Sequence, residues 1–161
     1  MIRTGAVPQS HCVRIAIPGV SYNQSMLPRP LVLIVDAHEQ TRDLYGHWFH
    51  VLGFEVMSTS RGRFVLPVLR RHPTDLIVLD LSVNEFDGLA TIEQLRHDPV
   101  AWSIPVIALT RTREADAVSR ARRAGAVDTQ PKLGDFESLG RTALFLVGAA
   151  SESSNSTKPP T

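Results

Sequence analysis

Two carboxylates, a hydroxyl and an ammonium stand at comparable places in this chain, each close to where an apolar run stops. Asp36 follows Leu31-Val32-Leu33-Ile34-Val35, and Asp80 follows Leu76-Ile77-Val78-Leu79. Thr110 follows Ile104-Pro105-Val106-Ile107-Ala108-Leu109, and Lys132 lies just past a weaker run from Ala126 to Gln130. A short apolar run bounded by turn signals reads as a strand buried on both faces, as in parallel sheets. Ligands of open α/β sheets sit beyond the carboxyl ends of such strands. Gathered on one edge, these four side chains suit a small anion such as a phosphoryl group. A carboxylate can act as nucleophile. A divalent cation held by oxygen ligands can offset the phosphoryl charge. Lysine and threonine can donate to phosphoryl oxygens.

The elements that must bring them together can be read in order. Strand 1 covers Leu31 to Val35. Helix 1 follows from Glu39 to Leu52, with Leu44, Trp48, Val51 and Leu52 at helical spacing and Gly53 as its stop. Phe54 to Ser58 is strand 2. Gly62 to His72 is helix 2, which Pro67 makes start late or kink. Asp75 to Asp80 is strand 3. Leu89, Ile92 and Leu95 mark the apolar side of helix 3, Ile104 to Leu109 is strand 4, and Arg113 to Ala124 is helix 4, closed by Gly125. Ala126 to Gln130 is strand 5. Phe136, Leu139, Ala143, Leu146 and Val147 give helix 5 its buried stripe. Strands alternating with helices imply βαβ units, a parallel sheet and right-handed crossovers that put helices on both faces. The expected fold is therefore α/β, a flavodoxin-like doubly wound (βα)5 with strand order 2-1-3-4-5, in which Asp36 and Asp80 meet at the switch point.

Composition sets the bounds. With 161 residues, 43% of them hydrophobic, the chain fits one domain, over 31–149. Residues 1–30 hold four prolines and no sustained period and read as a flexible arm, and a start at Met26 would give a more compact protein. The Ser/Pro-rich residues 150–161 read as a disordered tail. A net charge of +1 gives no overall field for nucleic acid or membrane. Cys12 is the single cysteine, which excludes an internal disulfide framework and fits a reducing compartment. With no signal-peptide pattern and no membrane-length apolar run, a cytoplasmic protein is expected.

The motifs together resemble the receiver domain of two-component response regulators. The resemblance rests on Val32-Leu33-Ile34-Val35-Asp36, Asp75 to Asp80, Phe86-Asp87-Gly88, Ile104 to Thr110, Ala124-Gly125-Ala126 and Lys132, and it covers about Leu31 to Val147. It implies that Asp80 accepts a phosphoryl group from a histidine kinase or phosphotransfer protein. It implies that Asp36, Asp80 and the backbone carbonyl of Ser82 hold Mg²⁺. It implies that Thr110 is the switch hydroxyl and that Lys132 contacts the phosphoryl group. The output face of such domains is formed by helix 4, strand 5 and helix 5, and would act here through a downstream protein, with no direct nucleic-acid binding and no enzymatic activity.

The chain also departs from the family pattern. The second acid of the metal-binding pair is Ala37, which should weaken Mg²⁺. His38 and Glu39 lie one residue further along, where a side chain is expected to point elsewhere. The aromatic switch partner is Thr129, Asn84 stands where many members have proline, and the usual Lys-Pro is Lys132-Leu133, with Pro131 before the lysine. The bond before Leu133 is expected to be trans. Ala37 and Thr129 favour the alternative of a degenerate receiver, a phosphorylation-independent interaction module. An aspartyl-phosphate hydrolase would need a second acid two residues after the nucleophile, where Ser82 stands. Asp87 reads as part of a turn, and His47 and His50 are close enough on helix 1 to share a metal, but nothing nearby completes a site. The run Arg111, Arg113, Arg120, Arg122 and Arg123 reads as a solvated basic face or a docking surface.

Overall fold

Alternate residues of each inner strand face opposite sides, so an all-apolar strand must be covered twice. The computed structural model, which describes residues 29–82, 88–111 and 115–155 and side chains as far as Ala149, shows that arrangement. Strands β1 (Leu31–Val35), β2 (Glu55–Thr59), β3 (Leu76–Asp80), β4 (Val106–Thr110) and β5 (Asp128–Pro131) form one sheet. Every pairing is parallel and the order is 2-1-3-4-5, as expected. Helices α1 (Glu39–Val51), α2 (Val65–Leu69), α3 (Gly88–His97), α4 (Ala115–Ala124) and α5 (Phe136–Asn155) connect and close it. No described helix is long and apolar enough to cross a membrane.

Two apolar layers result. Leu33, Val35, Ile77, Leu79, Val106 and Ala108 pack on one face against Val65 and Leu69 of α2, Ile92 and Leu95 of α3, and Ala121 of α4. Val32, Ile34, Leu76, Val78, Ile107 and Leu109 pack on the other against Tyr45 and Phe49 of α1 and Leu139 and Ala143 of α5. All five residues of β3 and of β4 are buried, which is why these strands read as unbroken apolar runs.

The structure corrects several readings. The buried face of α1 is Thr41, Tyr45 and Phe49, while Leu44 and Val51 are exposed. Both sets have helical spacing, and only the packing against the sheet decides between faces offset by one residue. Helix 2 does start late. A 3₁₀ turn over Gly62–Phe64 precedes α2, and Pro67 then sits in the first turn, where a missing N–H costs no helical bond. Asp75 and Pro105 lie before their strands. The Asp75 carboxylate accepts the Leu31 amide at 2.7 Å, and the Pro105 carbonyl accepts the Ile77 amide at 3.0 Å. Helix α5 runs to Asn155, into the stretch read as a disordered tail. Ala149 and Ala150 favour helix, and no proline interrupts before Pro159. The expected arm up to residue 28, with Cys12, lies outside the described residues, as do Asn84, Asp87, Arg113 and residues 156–161.

Two glycines are demanded by the backbone. A Cβ on Gly88 would stand 2.6 Å from Leu81 Cα, so glycine lets α3 begin against the end of β3. Gly125 ends α4 at φ +116°, and a Cβ there would meet Arg96 Cγ at 2.5 Å. Arg96 also donates from Nε to the Gly125 carbonyl and from Nη1 to those of Trp102 and Ile104. Gly125→Ala combines a forbidden φ with this clash. It is expected to cost about 1–3 kcal/mol in urea denaturation with an unchanged m-value.

Candidate functional site

Register brings the acids together. Val35 pairs with Leu79, so the next residues, Asp36 and Asp80, emerge side by side at the carboxyl edge. Asp80 in turn pairs with Leu109, and Thr110 pairs with Pro131. The lysine arrives on the turn that follows β5.

Lys132 Nζ lies 2.6 Å from Oδ2 of Asp36 and 2.6 Å from Oδ2 of Asp80. The three side chains are 0%, 1% and 7% exposed for Asp36, Asp80 and Lys132. The contact to Asp80 is an aligned hydrogen bond. The contact to Asp36 is a close approach of charges that leaves Asp36 Oδ2 without an aligned donor. Burial lowers the affinity of the Lys132 amine for its proton, but the contacts and charges of Asp36 and Asp80 outweigh it and hold the group above the ordinary lysine range. The ammonium therefore stays charged between two acids.

The Oδ1 edges face other partners. Asp36 Oδ1 accepts the His38 amide at 2.8 Å and lies 3.2 Å from His38 Nδ1. Asp80 Oδ1 accepts the Ser82 amide at 3.1 Å, and the Ser82 hydroxyl is 2.8 Å from both Asp80 oxygens. Ser82 thus meets Asp80 through its amide and hydroxyl. Thr110 is buried at the end of β4, and its carbonyl accepts the Lys132 amide at 2.7 Å.

The turn that aims the lysine has its own supports. The Gly134 amide donates to the Pro131 carbonyl at 3.1 Å, closing a β-turn with Lys132 and Leu133 at its centre. Leu133 has φ +55°, as the third position of a type II turn demands, and leucine resists that conformation. Its amide donates to the Tyr45 hydroxyl at 2.8 Å. Burial raises the Tyr45 phenol above its ordinary range, opposed by the Leu133 hydrogen bond and the Lys132 charge. On the other side, Arg42 Nη1 donates to the carbonyls of Asp36 at 2.8 Å and Ala37 at 3.1 Å, fixing the loop after β1.

Asp36, Asp80, Thr110 and Lys132, singled out in the sequence, therefore stand at one edge, with Ser82 beside Asp80. Tyr45 and Arg42 were not anticipated. Tyr45 is one more apolar-face residue in sequence, and Arg42 shows only as a cation one turn into α1. The expectation that His38 points away is corrected: its ring turns back onto Asp36. His47 and His50 are exposed and belong to no such cluster. Arg120 pairs with Asp116 at 3.2 Å, and Arg111, Arg122 and Arg123 are exposed.

The donor set fits a divalent cation. Among the described residues, oxygens of Asp36 and Asp80 and a ring nitrogen of His38 lie within 4.8 Å of one another. Carboxylates of this kind bind Mg²⁺ with waters completing its shell.

Comparison with known proteins bears on the family and the fold. The model of the response regulator receiver domain matches residues 32–143. The polar-differentiation response regulator DivK of Brucella anthropi is 32% identical over 94 residues, which cover 58% of this chain and 76% of that protein. The regulatory protein AtoC of Escherichia coli is 29% identical over 108 residues, covering 67% of this chain and 23% of AtoC. Among solved structures, the chemotaxis protein CheY4 of Vibrio cholerae superposes with a TM-score of 0.70 at 22% identity, covering 74% of this chain and 99% of that one. The receiver domain of sensor histidine kinase PA1611 of Pseudomonas aeruginosa superposes at 0.69 and 21% identity, covering 75% and 99%, and its structure holds a magnesium ion in the active site cleft.

Tyr45→Phe removes the acceptor of the Leu133 amide and nothing else. It is expected to cost about 1 kcal/mol of stability. It should also speed hydrogen exchange at the Leu133 amide, which NMR reads directly, and an unchanged rate there would remove Tyr45 from the turn's supports.

Proposed function

The chain belongs to the response regulator receiver domain family of two-component signalling, and we propose that it accepts a phosphoryl group on Asp80 from a histidine kinase or phosphotransfer protein. The observation that carries this reading is the Asp80 carboxylate, ending the central strand among Lys132, Ser82 and Asp36. Asp80 is the nucleophile. One of its oxygens bonds to phosphorus in line as the phosphorus–nitrogen bond of the donor's phosphohistidine breaks, and the released imidazole takes up a proton.

Asp36, Asp80 and the Ser82 carbonyl would hold Mg²⁺, with Ala37 making that hold weaker. The ion, when bound, offsets the negative charge of the phosphoryl oxygens. Lys132 remains as a fixed ammonium beside the acceptor and donates to a phosphoryl oxygen. Thr110 supplies a hydroxyl from the neighbouring strand. The Ser82 hydroxyl, shared between both Asp80 oxygens, must turn away from the oxygen that forms the new bond. The chain carries the phosphoryl group as a signal. It passes the signal to a downstream protein through the face of α4, β5 and α5, where Arg120, Arg122 and Arg123 supply basic character.

Ala37 and Thr129 favour a second reading, a phosphorylation-independent interaction module.

Intact mass after incubation with Mg²⁺ and acetyl phosphate separates the two. The acceptor reading expects one added phosphoryl group, absent in Asp80→Asn. No adduct at saturating Mg²⁺, even with a cognate kinase, would leave the interaction module.

A further inference from the structure

The loop after β1 lacks the second carboxylate of the family pattern, yet it does not leave the pocket short of a donor. His38 is the N-cap residue of α1, but its side chain makes no capping hydrogen bond. The ring instead turns toward Asp36, with Nδ1 at 3.2 Å from Oδ1 while the His38 amide holds the same oxygen at 2.8 Å. The imidazole is half exposed, at 54%, so its approach to a fully buried carboxylate is not forced by packing. A ring nitrogen of His38 and one oxygen each of Asp36 and Asp80 lie within 4.8 Å of one another.

From this placement we infer that His38 takes the place of the missing acid as a third protein ligand, and that the pocket prefers a divalent transition ion to Mg²⁺. The inference rests on the same acidic pocket as the proposed function and assigns its cation. Three physical arguments support it. Neighbouring ligands on one ion, with bonds of about 2.1 Å, stand about 3 Å apart, so an ion there would replace the Asp36–His38 hydrogen bond, now 3.2 Å long, without moving either side chain far. Exchanging a carboxylate for a neutral imidazole removes one negative charge, which weakens a hard ion held by oxygen and charge. The same exchange adds a nitrogen donor, which suits the first-row transition ions. The lysine does not block the site. Lys132 meets the Oδ2 atoms of both acids, whereas His38 meets Asp36 Oδ1 and the Ser82 amide meets Asp80 Oδ1, so the carboxylate pair has a second edge for a cation.

Isothermal titration of the full, chelator-stripped chain with Co²⁺ and with Mg²⁺ tests this. Co²⁺ is chosen because its visible absorption reports its ligands. The wild-type chain is expected to bind Co²⁺ more tightly than Mg²⁺. His38→Ala, on an exposed loop, should weaken Co²⁺ by roughly tenfold or more. It should also change the Co²⁺ band and alter Mg²⁺ affinity far less. Asp80→Asn should weaken both ions. Unmeasurable Co²⁺ binding, an equal loss of both ions in His38→Ala, or Co²⁺ binding that survives Asp80→Asn would each overturn the inference. No phosphodonor is present, so a failure here leaves the acceptor role of Asp80 to its own mass assay.

Discussion

The ammonium of Lys132, placed 2.6 Å from each of two buried carboxylates, is the interaction on which the pocket depends. Two acids at neighbouring strand ends repel each other and lose their water. Taking a charge out of water costs several kcal/mol unless a partner and further hydrogen bonds replace the solvent. Here the partner is a lysine, and the hydrogen bonds come from the His38 and Ser82 amides and the Ser82 hydroxyl. The arrangement keeps Asp80 beside a fixed positive charge. It also explains how the pocket tolerates Ala37, since two carboxylates and one ammonium are closer to balance than three carboxylates would be.

Placing that ammonium is the work of the whole fold. The parallel register aligns Asp36 with Asp80, and the α1 layer then connects the sheet to the lysine turn. Tyr45 packs in the core, and its hydroxyl reaches the Leu133 amide. Leu133 holds a left-handed backbone that leucine alone would avoid. Core packing, turn geometry and pocket electrostatics are therefore linked through one side chain.

Much of this was legible in the sequence. The unbroken apolar runs at β1, β3 and β4 required strands covered on both faces, and their terminal Asp36, Asp80 and Thr110 followed. Lys132 was legible because it lies just past the weak run from Ala126 to Gln130. What could not be read depended on contacts between distant residues. The face of α1 was misjudged because Leu44 and Tyr45 each begin a plausible apolar stripe, and only the sheet chooses between them. Tyr45 and Leu133 are 88 residues apart, and no local pattern signals their hydrogen bond. The His38 ring direction depends on the backbone bend after Asp36, which spacing does not reveal. Strand boundaries shifted by one or two residues at Asp75 and Pro105, whose backbone bonds to Leu31 and Ile77 lie at the very start of the ladders.

The central claim is that the lysine makes the buried acid pair tolerable, and the stability of Lys132→Met in metal-free buffer tests it most directly. Methionine keeps the length of the side chain and removes its charge. Urea denaturation should show a loss of about 3–5 kcal/mol, as when one partner of a buried ion pair is deleted. Adding Asp80→Asn to the same chain should recover much of that loss. A loss below about 1 kcal/mol, the range of exposed ion pairs, would show that Asp36 and Asp80 do not depend on Lys132 and would contradict the account.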